Sequence, residues 1–353
     1  MRVDDLHRLV LFTALGLGCD AKPAATTTAA ASASATTPSG ARATFRRCVS
    51  APVPDVDATE FAHDRSAIMA KTMTAQHHAQ DAIAIPDAPF AIAAKFTYGD
   101  VGKDLEDEPV RAWIDDCDRI TELPGARTDG DGRASFQVEG HAPGVYALHF
   151  AVGGDGTRTR ASAWVLPAQT EIVVFDIDGT LTVDDAEVTH DAIDERFEAY
   201  RDGSYRAQAY AHGDELAQLW AKKGFVPVYI TGRPYWLCDH SRAWLRDGDF
   251  PIGLVHTTDQ HRDVVPKVDG VGRFKADFLA RLRGSGYRIA AAYGNAATDV
   301  WAYAQAEIPV EHTFIIGPHA GEGGTVAMKD DWSGALPWAR QHADAAQPFE
   351  WDH

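Results

Sequence analysis

Residues 172–182 read Ile172-Val173-Val174-Phe175-Asp176-Ile177-Asp178-Gly179-Thr180-Leu181-Thr182, a short apolar run that meets two aspartates, a glycine and a threonine. The run has the length and β-branched character of a buried strand. Side chains of an extended chain alternate faces, so Asp176 and Asp178 emerge on the same side just past the strand's end. Gly179 supplies the freedom for a sharp turn. Two carboxylates aimed at one point are costly unless a proton or a cation lies between them. A hard divalent ion such as Mg²⁺, bound by oxygen ligands and a substrate phosphate, meets that demand.

Downstream of Pro167 the pattern alternates between strands and helices, which signals a parallel sheet with helices on its faces. Helices are expected over 214–223, 272–283 and 298–306, and strands over 226–230, 287–293 and 312–316. Four chemically distinctive features then fall at successive strand ends or helix starts: Asp176 with Asp178, Thr231, Lys275, and Asn295 with Asp299. In open parallel sheets the ligand site forms at the carboxyl ends of the strands.

Upstream, short alternating runs at 90–92, 110–114, 134–138, 145–152 and 160–165 are separated by Asp-Gly and Gly-Gly turns. This spacing predicts a small antiparallel sandwich, immunoglobulin-like, over 83–167. The Asp129/Asp131 pair lacks the later acidic position of a calcium loop and reads as a plain turn. Residues 44–82 carry a mildly helical pattern, and His77-His78 reads as a solvated helix face. Residues 326–353 read as a C-terminal tail.

The chain has 353 residues, with 33 basic and 51 acidic side chains and a formal net charge of -18. That balance argues against nucleic acid as a partner and against broad docking on anionic membranes. A phosphate-bearing substrate then needs a local basic pocket. Arg2 and Arg8 lead into the apolar run 9–17 and Gly18-Cys19. This resembles a bacterial export signal with a lipoprotein box, although Gly16 stands where the box prefers leucine. The competing reading is a hydrophobic N-terminus on a cytosolic protein. The Ala/Thr/Ser stretch 20–43 is expected to be a disordered tether behind residues 1–19. The expected location is therefore bacterial and exported, periplasmic or held at the membrane surface by a lipid on Cys19. Of the 4 cysteines, Cys48 and Cys117 are a candidate disulfide, Cys238 is left over, and no zinc-site spacing occurs.

DIDGTLT (176–182), YITGRP (229–234), the Phe-Lys of GRFKADFL (272–279) and YGNAATDVWAY (293–303), in that order, resemble the haloacid-dehalogenase phosphohydrolase superfamily. The resemblance is closest to its lipin-like phosphatidate phosphatases, whose domain also occurs in phosphatidylinositol-transfer proteins, and it covers 170 to about 320. It implies a three-layer Rossmann-like α/β domain over 168–325. It implies further that Asp176 is the nucleophile and Asp178 the general acid/base. Thr231 would hold a phosphoryl oxygen and Lys275 would neutralise the phosphate and Asp176. Gly179, Thr180, Gly232 and Arg233 would line the substrate. Asp176, Asp178 (through its carbonyl), Asn295 and Asp299 would hold Mg²⁺. The superfamily more often carries aspartate where Asn295 stands.

Several of these residues also have plainer readings. Thr182 caps a helix or touches substrate, Arg233 binds phosphate or pairs with a carboxylate, and Lys267 and Arg273 are solvated. Trp236, Trp244 and Trp301 are packing residues. About 50 residues separate the first motif from Thr231, and they read as helices without a sheet-forming insert. By analogy with the superfamily the site is open, which suits a large or partly membrane-embedded substrate. The expected function is Mg²⁺-dependent hydrolysis of phosphatidate or a related phospholipid. The alternatives are a soluble phosphomonoester as substrate, or a lipid-binding module without turnover.

Overall fold

Alternation of buried and exposed side chains organises the first half of the chain, in a computed structural model that describes residues 44–49, 55–99, 102–183, 207–258, 268–348 and 350–351. Its main elements are β1 (Thr44–Cys48), α1 (Asp64–Thr72), β2 (His78–Ala79), β3 (Ala82–Ala84), β4 (Phe90–Lys95) and β5 (Pro109–Asp115). They are followed by β6 (Arg133–Val138), β7 (Gly144–Val152) and β8 (Arg158–Val165). In β6, Ala134, Phe136 and Val138 point inward while Ser135 and Gln137 face solvent. This strand pairs antiparallel with β4, Phe136 opposite Ile92, and β2 completes a three-stranded sheet. The facing sheet is built on β7, which pairs antiparallel with β8 and β5 and parallel with β1. Phe136 of one sheet meets Phe150 of the other at 5.7 Å between ring centroids. Each such ring buried contributes about 2 kcal/mol.

A disulfide joins Cys48 to Cys117, 69 residues apart. Closing a loop of that length restricts the unfolded chain by roughly 4 kcal/mol. Asp129 Oδ1 accepts the backbone N–H groups of Asp131 and Arg133, each at 2.9 Å, so this acidic pair makes a turn.

Two expectations for residues 44–82 are corrected. Only α1 is helical. The run Thr44–Cys48 is a strand because β7 offers it a hydrogen-bonding edge, with Arg46 opposite Gly144. His77 and His78 are buried. His77 Nδ1 accepts the Thr97 N–H at 3.2 Å, so the proton sits on Nε2, which donates to Thr157 Oγ1 at 2.7 Å. Thr157 in turn donates to Asp155, whose other oxygen accepts the Tyr98 hydroxyl at 2.7 Å. Burial lowers the His77 pKa to about 4 and that of His256 to about 3. In the unfolded chain these rings bind protons near pH 6.5, so acid favours unfolding. The urea midpoint should hold steady above that pH and fall progressively between pH 6.5 and 4. His77→Gln should flatten the fall, and a curve of unchanged steepness would refute the assignment.

The second half contains β9 (Glu171–Asp176), α2 (Gly213–Lys222), β10 (Val226–Pro234), α3 (Cys238–Asp247), β11 (Leu254–Thr258) and α4 (Arg273–Gly284). It continues with β12 (Arg288–Gly294), α5 (Ala297–Gln305), β13 (Thr313–Ile315), β14 (Val326–Ala327) and α6 (Leu336–Gln341). The strands form one parallel sheet in the order β11-β10-β9-β12-β13-β14. Within β9, Ile172 and Val174 enter a core with Phe278 and Leu282 of α4, and Val173 and Phe175 enter one with Leu216 and Trp220 of α2. Helices therefore cover both faces, as a strand apolar on both sides requires. Of the interval expected as helices, residues 184–206 lie outside the described residues.

The supposed tail is corrected as well. Trp332, Leu336 and Ala339 belong to the same core as Phe175, and β14 extends the sheet. A final strand at Glu350–Trp351 pairs with β1. The two halves also share a core, in which Phe45, Val145 and Trp164 of the sandwich pack with Ile172 and Val228 of the parallel sheet.

Candidate active site

β9 ends at Asp176, and Gly179, with φ of 70°, turns the chain back at once. The Thr182 hydroxyl closes this turn. It accepts the Gly179 N–H at 3.1 Å and donates to the Ile177 carbonyl at 3.3 Å. Asp176 Oδ2 accepts a hydrogen bond from Thr180 Oγ1 at 2.9 Å, and Asn295 Oδ1 lies 3.0 Å from the same hydroxyl. Lys275, in the first turn of α4, places Nζ 2.6 Å from Asp176 Oδ1 and 2.6 Å from Asp299 Oδ1. Asp299 stands in the first turn of α5, and its Oδ2 accepts the N–H groups of Asn295 and Ala296 at 3.1 and 3.0 Å. A Cβ on Gly294 would sit 2.6 Å from that of Asp299, so glycine is required for the close approach.

Beside this cluster, Thr231 at the end of β10 donates to Asp178 Oδ2 at 2.7 Å. Arg233 Nε lies 2.9 and 3.0 Å from the two Asp178 oxygens, and Nη2 is 2.7 Å from Oδ1. Arg233 thus pairs with a carboxylate, but a buried one. Gly232 backs onto the Val271 side chain. Trp244 stacks on Phe250 at 5.2 Å, while Lys267 lies outside the described residues.

Exposure is 2% for Asp176, 2% for Lys275 and 0% for Asp299. Burial, reinforced by the Asp299 charge, drives the Asp176 carboxyl well above its ordinary pKa. Burial alone would lower the Lys275 pKa, yet the two carboxylates more than offset it and keep the ammonium protonated. With every group ionised, three carboxylates against two cations would leave the site one negative charge, unsuited to a phosphate dianion until a further cation arrives. Asp176 Oδ2 and Asn295 Oδ1 converge on one hydroxyl, an oxygen set that suits Mg²⁺. Asp299 fits that task less well, since its two oxygens already accept three donors. Among the described residues no cluster of three His, Cys, Asp or Glu side chains forms a metal site by itself.

Two contributors carry no motif. Trp332 Nε1 donates to the Thr180 carbonyl at 2.8 Å, and Ser241 Oγ lies 3.1 Å from Arg233 Nη1. The only sequence signal was a tryptophan in a segment taken for a tail.

Two family models match this chain. One, described as the LNS2 domain of PITM 1-3, covers residues 173–317, and the other, the beta-sandwich domain of PITM 1-3, covers residues 75–165. The chain is similar to the human membrane-associated phosphatidylinositol transfer protein 2, 29% identical over 76% of this chain and 19% of that protein. It is likewise similar to the Drosophila melanogaster protein retinal degeneration B, 28% identical over 72% of this chain and 19% of that one. The chain spans about a fifth of the length of these relatives. Among solved structures, a superoxide reductase from Ignicoccus hospitalis aligns over 28% of this chain and 83% of its own, with 11% identity and a TM-score of 0.21, and nothing rests on it.

These relatives correct the expected location. They are proteins of fly, mouse and human, the mouse and human ones named as membrane-associated, and they give no support to a bacterial exported lipoprotein with a signal peptide and a lipid on Cys19. Residues 1–43 lie outside the described residues.

Proposed function

We propose that the strand-end site is a Mg²⁺-dependent phosphomonoesterase of haloacid-dehalogenase type, acting on phosphatidate or a related phospholipid monoester, beside an immunoglobulin-like sandwich. The observation that carries this reading is the junction of Asp176, Lys275 and Asp299 through two 2.6 Å contacts, next to a third aspartate, Asp178. Asp176 would attack phosphorus in line and form an aspartyl-phosphate while the ester P–O bond breaks. Asp178 would give its proton to the departing alkoxide, then take one from the water that cleaves the acyl phosphate and restores Asp176. Lys275 would hold Asp176 in place and offset phosphate charge. Asp299 would keep Lys275 aimed. Bound Mg²⁺, held by Asp176, the Asp178 carbonyl and Asn295, would supply the positive charge that a dianionic substrate needs.

The phospholipid assignment draws on the matched LNS2 domain, which is related to phosphatases of this type, and on relatives named for phosphatidylinositol transfer. A second reading has its own support. Arg233 engages both Asp178 oxygens, an arrangement that occupies the would-be acid/base group and so suits a module that binds a phosphomonoester without turning it over. Phosphate release should be measured with and without Mg²⁺ on phosphatidate in mixed micelles and on glycerol phosphate, together with binding to phosphatidate vesicles. Release from phosphatidate that needs Mg²⁺ and exceeds release from glycerol phosphate is expected. Binding without release would favour the second reading, and neither would remove both.

A further inference from the structure

The sandwich grips the segment that presents Arg233 to Asp178. Asp81, between β2 and β3, is buried with a side-chain exposure of 3%. Its Oδ1 accepts from Ser162 N and from Arg242 Nη2, both at 2.8 Å, and its Oδ2 accepts from Val255 N at 2.9 Å. One carboxylate therefore ties β8 of the sandwich to α3 and β11 of the parallel sheet. Arg242 also donates to the sandwich carbonyls of Ala79 at 3.2 Å and Arg160 at 3.3 Å. Its neighbour on α3 is Ser241, the residue against the Arg233 guanidinium.

Two further contacts act on the same segment. Gln80 Nε2 donates to the Thr257 carbonyl at 2.9 Å, and the next residue, Thr258, donates through Oγ1 to the Arg233 carbonyl at 3.2 Å. His78 stacks on Tyr235, two residues past Arg233, with ring centroids 3.8 Å apart. Residues 78–81 thus reach both the guanidinium side and the backbone side of Arg233. A packing interface of ordinary kind needs no buried carboxylate with three donors, whose burial is costly unless each contact holds its geometry.

We infer that Asp81, acting through Arg242 and Ser241, is a positioning residue for the Arg233–Asp178 pair, so that the sandwich sets the orientation of the acid/base group. This rests on the phosphatase reading above for its catalytic consequence, though not for its geometry. Asp81→Asn would present an N–H group to the Val255 N–H or to the Arg242 guanidinium and loosen α3. Ser241→Ala would cut the last link without disturbing the interface.

The test compares an alkyl phosphate, whose leaving alkoxide needs a proton, with p-nitrophenyl phosphate, whose leaving group does not. A correctly held general acid is worth about a hundredfold or more, so both variants should lose about tenfold in kcat/KM on the alkyl ester. On the aryl ester kcat/KM should fall less than about twofold, because it reports only the steps up to leaving-group departure and not the later hydrolysis in which Asp178 would act as base. Equal losses on the two esters, or none, would overturn the inference. Should Asp81→Asn not fold, Ser241→Ala decides by the same comparison. A wild type that hydrolyses neither ester, nor phosphatidate in mixed micelles, refutes the phosphatase reading alone. Hydrogen exchange in full-length protein then decides the positioning: the peptide spanning 231–242 should exchange faster in Asp81→Asn while 172–176 stays protected, and unchanged exchange would sink it.

Discussion

Asp176→Asn should abolish phosphate release, by roughly four orders of magnitude or more, because among the described residues no other group is placed to form the covalent intermediate. The substitution is isosteric, and the amide can keep an oxygen toward Lys275. The same change should raise thermal stability in the absence of divalent ions. Asp176 and Asp299 share a single buried ammonium, and burial together with Asp299 disfavours the ionised Asp176. Neutralising one carboxylate removes that penalty, a trade of stability for activity that is common at active sites. Phosphate release and the thermal midpoint measured on one preparation check both halves. Hydrolysis retained in the variant would remove Asp176 as nucleophile, and a lowered midpoint would show that the ionised carboxylate holds the fold together.

Lys275→Met should be the most destabilising single change at the site. It fills a similar volume but leaves Asp176 and Asp299 facing each other without a counter-charge in a buried setting. Removing one partner of a buried ion pair costs about 3–5 kcal/mol. Urea unfolding at neutral pH should show that loss. The double variant with Asp176→Asn should recover much of it, since the surviving Asp299 retains the N–H groups of Asn295 and Ala296. Mg²⁺ should also restore part of the loss in the single variant, because Asp176 and Asn295 still face each other around the Thr180 hydroxyl. A single variant as stable as the wild type would mean that the lysine is not shared by the two carboxylates.

Much of this arrangement could be read from local pattern. The run before Asp176 is apolar on both faces, so it had to lie inside a parallel sheet, and β9 lies there. The helix that opens after Gly213 shows Leu216 and Trp220 at the spacing of one buried face. Other parts gave weaker signals. The run Leu254–Thr258 is only five residues long and holds a histidine and two threonines, yet it forms the edge strand beyond β10 because Val228 and Ile230 offer it partners. His77 carries no mark of burial, and the Thr97 N–H and the Thr157 hydroxyl that satisfy it lie 20 and 80 residues away. Trp332 was equally silent, since its partner, the Thr180 carbonyl, is 152 residues distant.

Periodicity and the chemistry of strand ends were enough to establish a β-rich half, an α/β half, and the residue types that meet at one end of the sheet. Both depend on neighbours a few positions apart, where chain geometry is nearly the same in every protein. Which donor satisfies which acceptor is different, because it depends on groups brought together from opposite ends of the chain. Arg233 was free in sequence terms to hold a phosphate or a carboxylate. It holds Asp178 because Ser241 on α3 and the close of β10 bring both groups into one dry pocket, where an unpaired guanidinium would be too costly to bury.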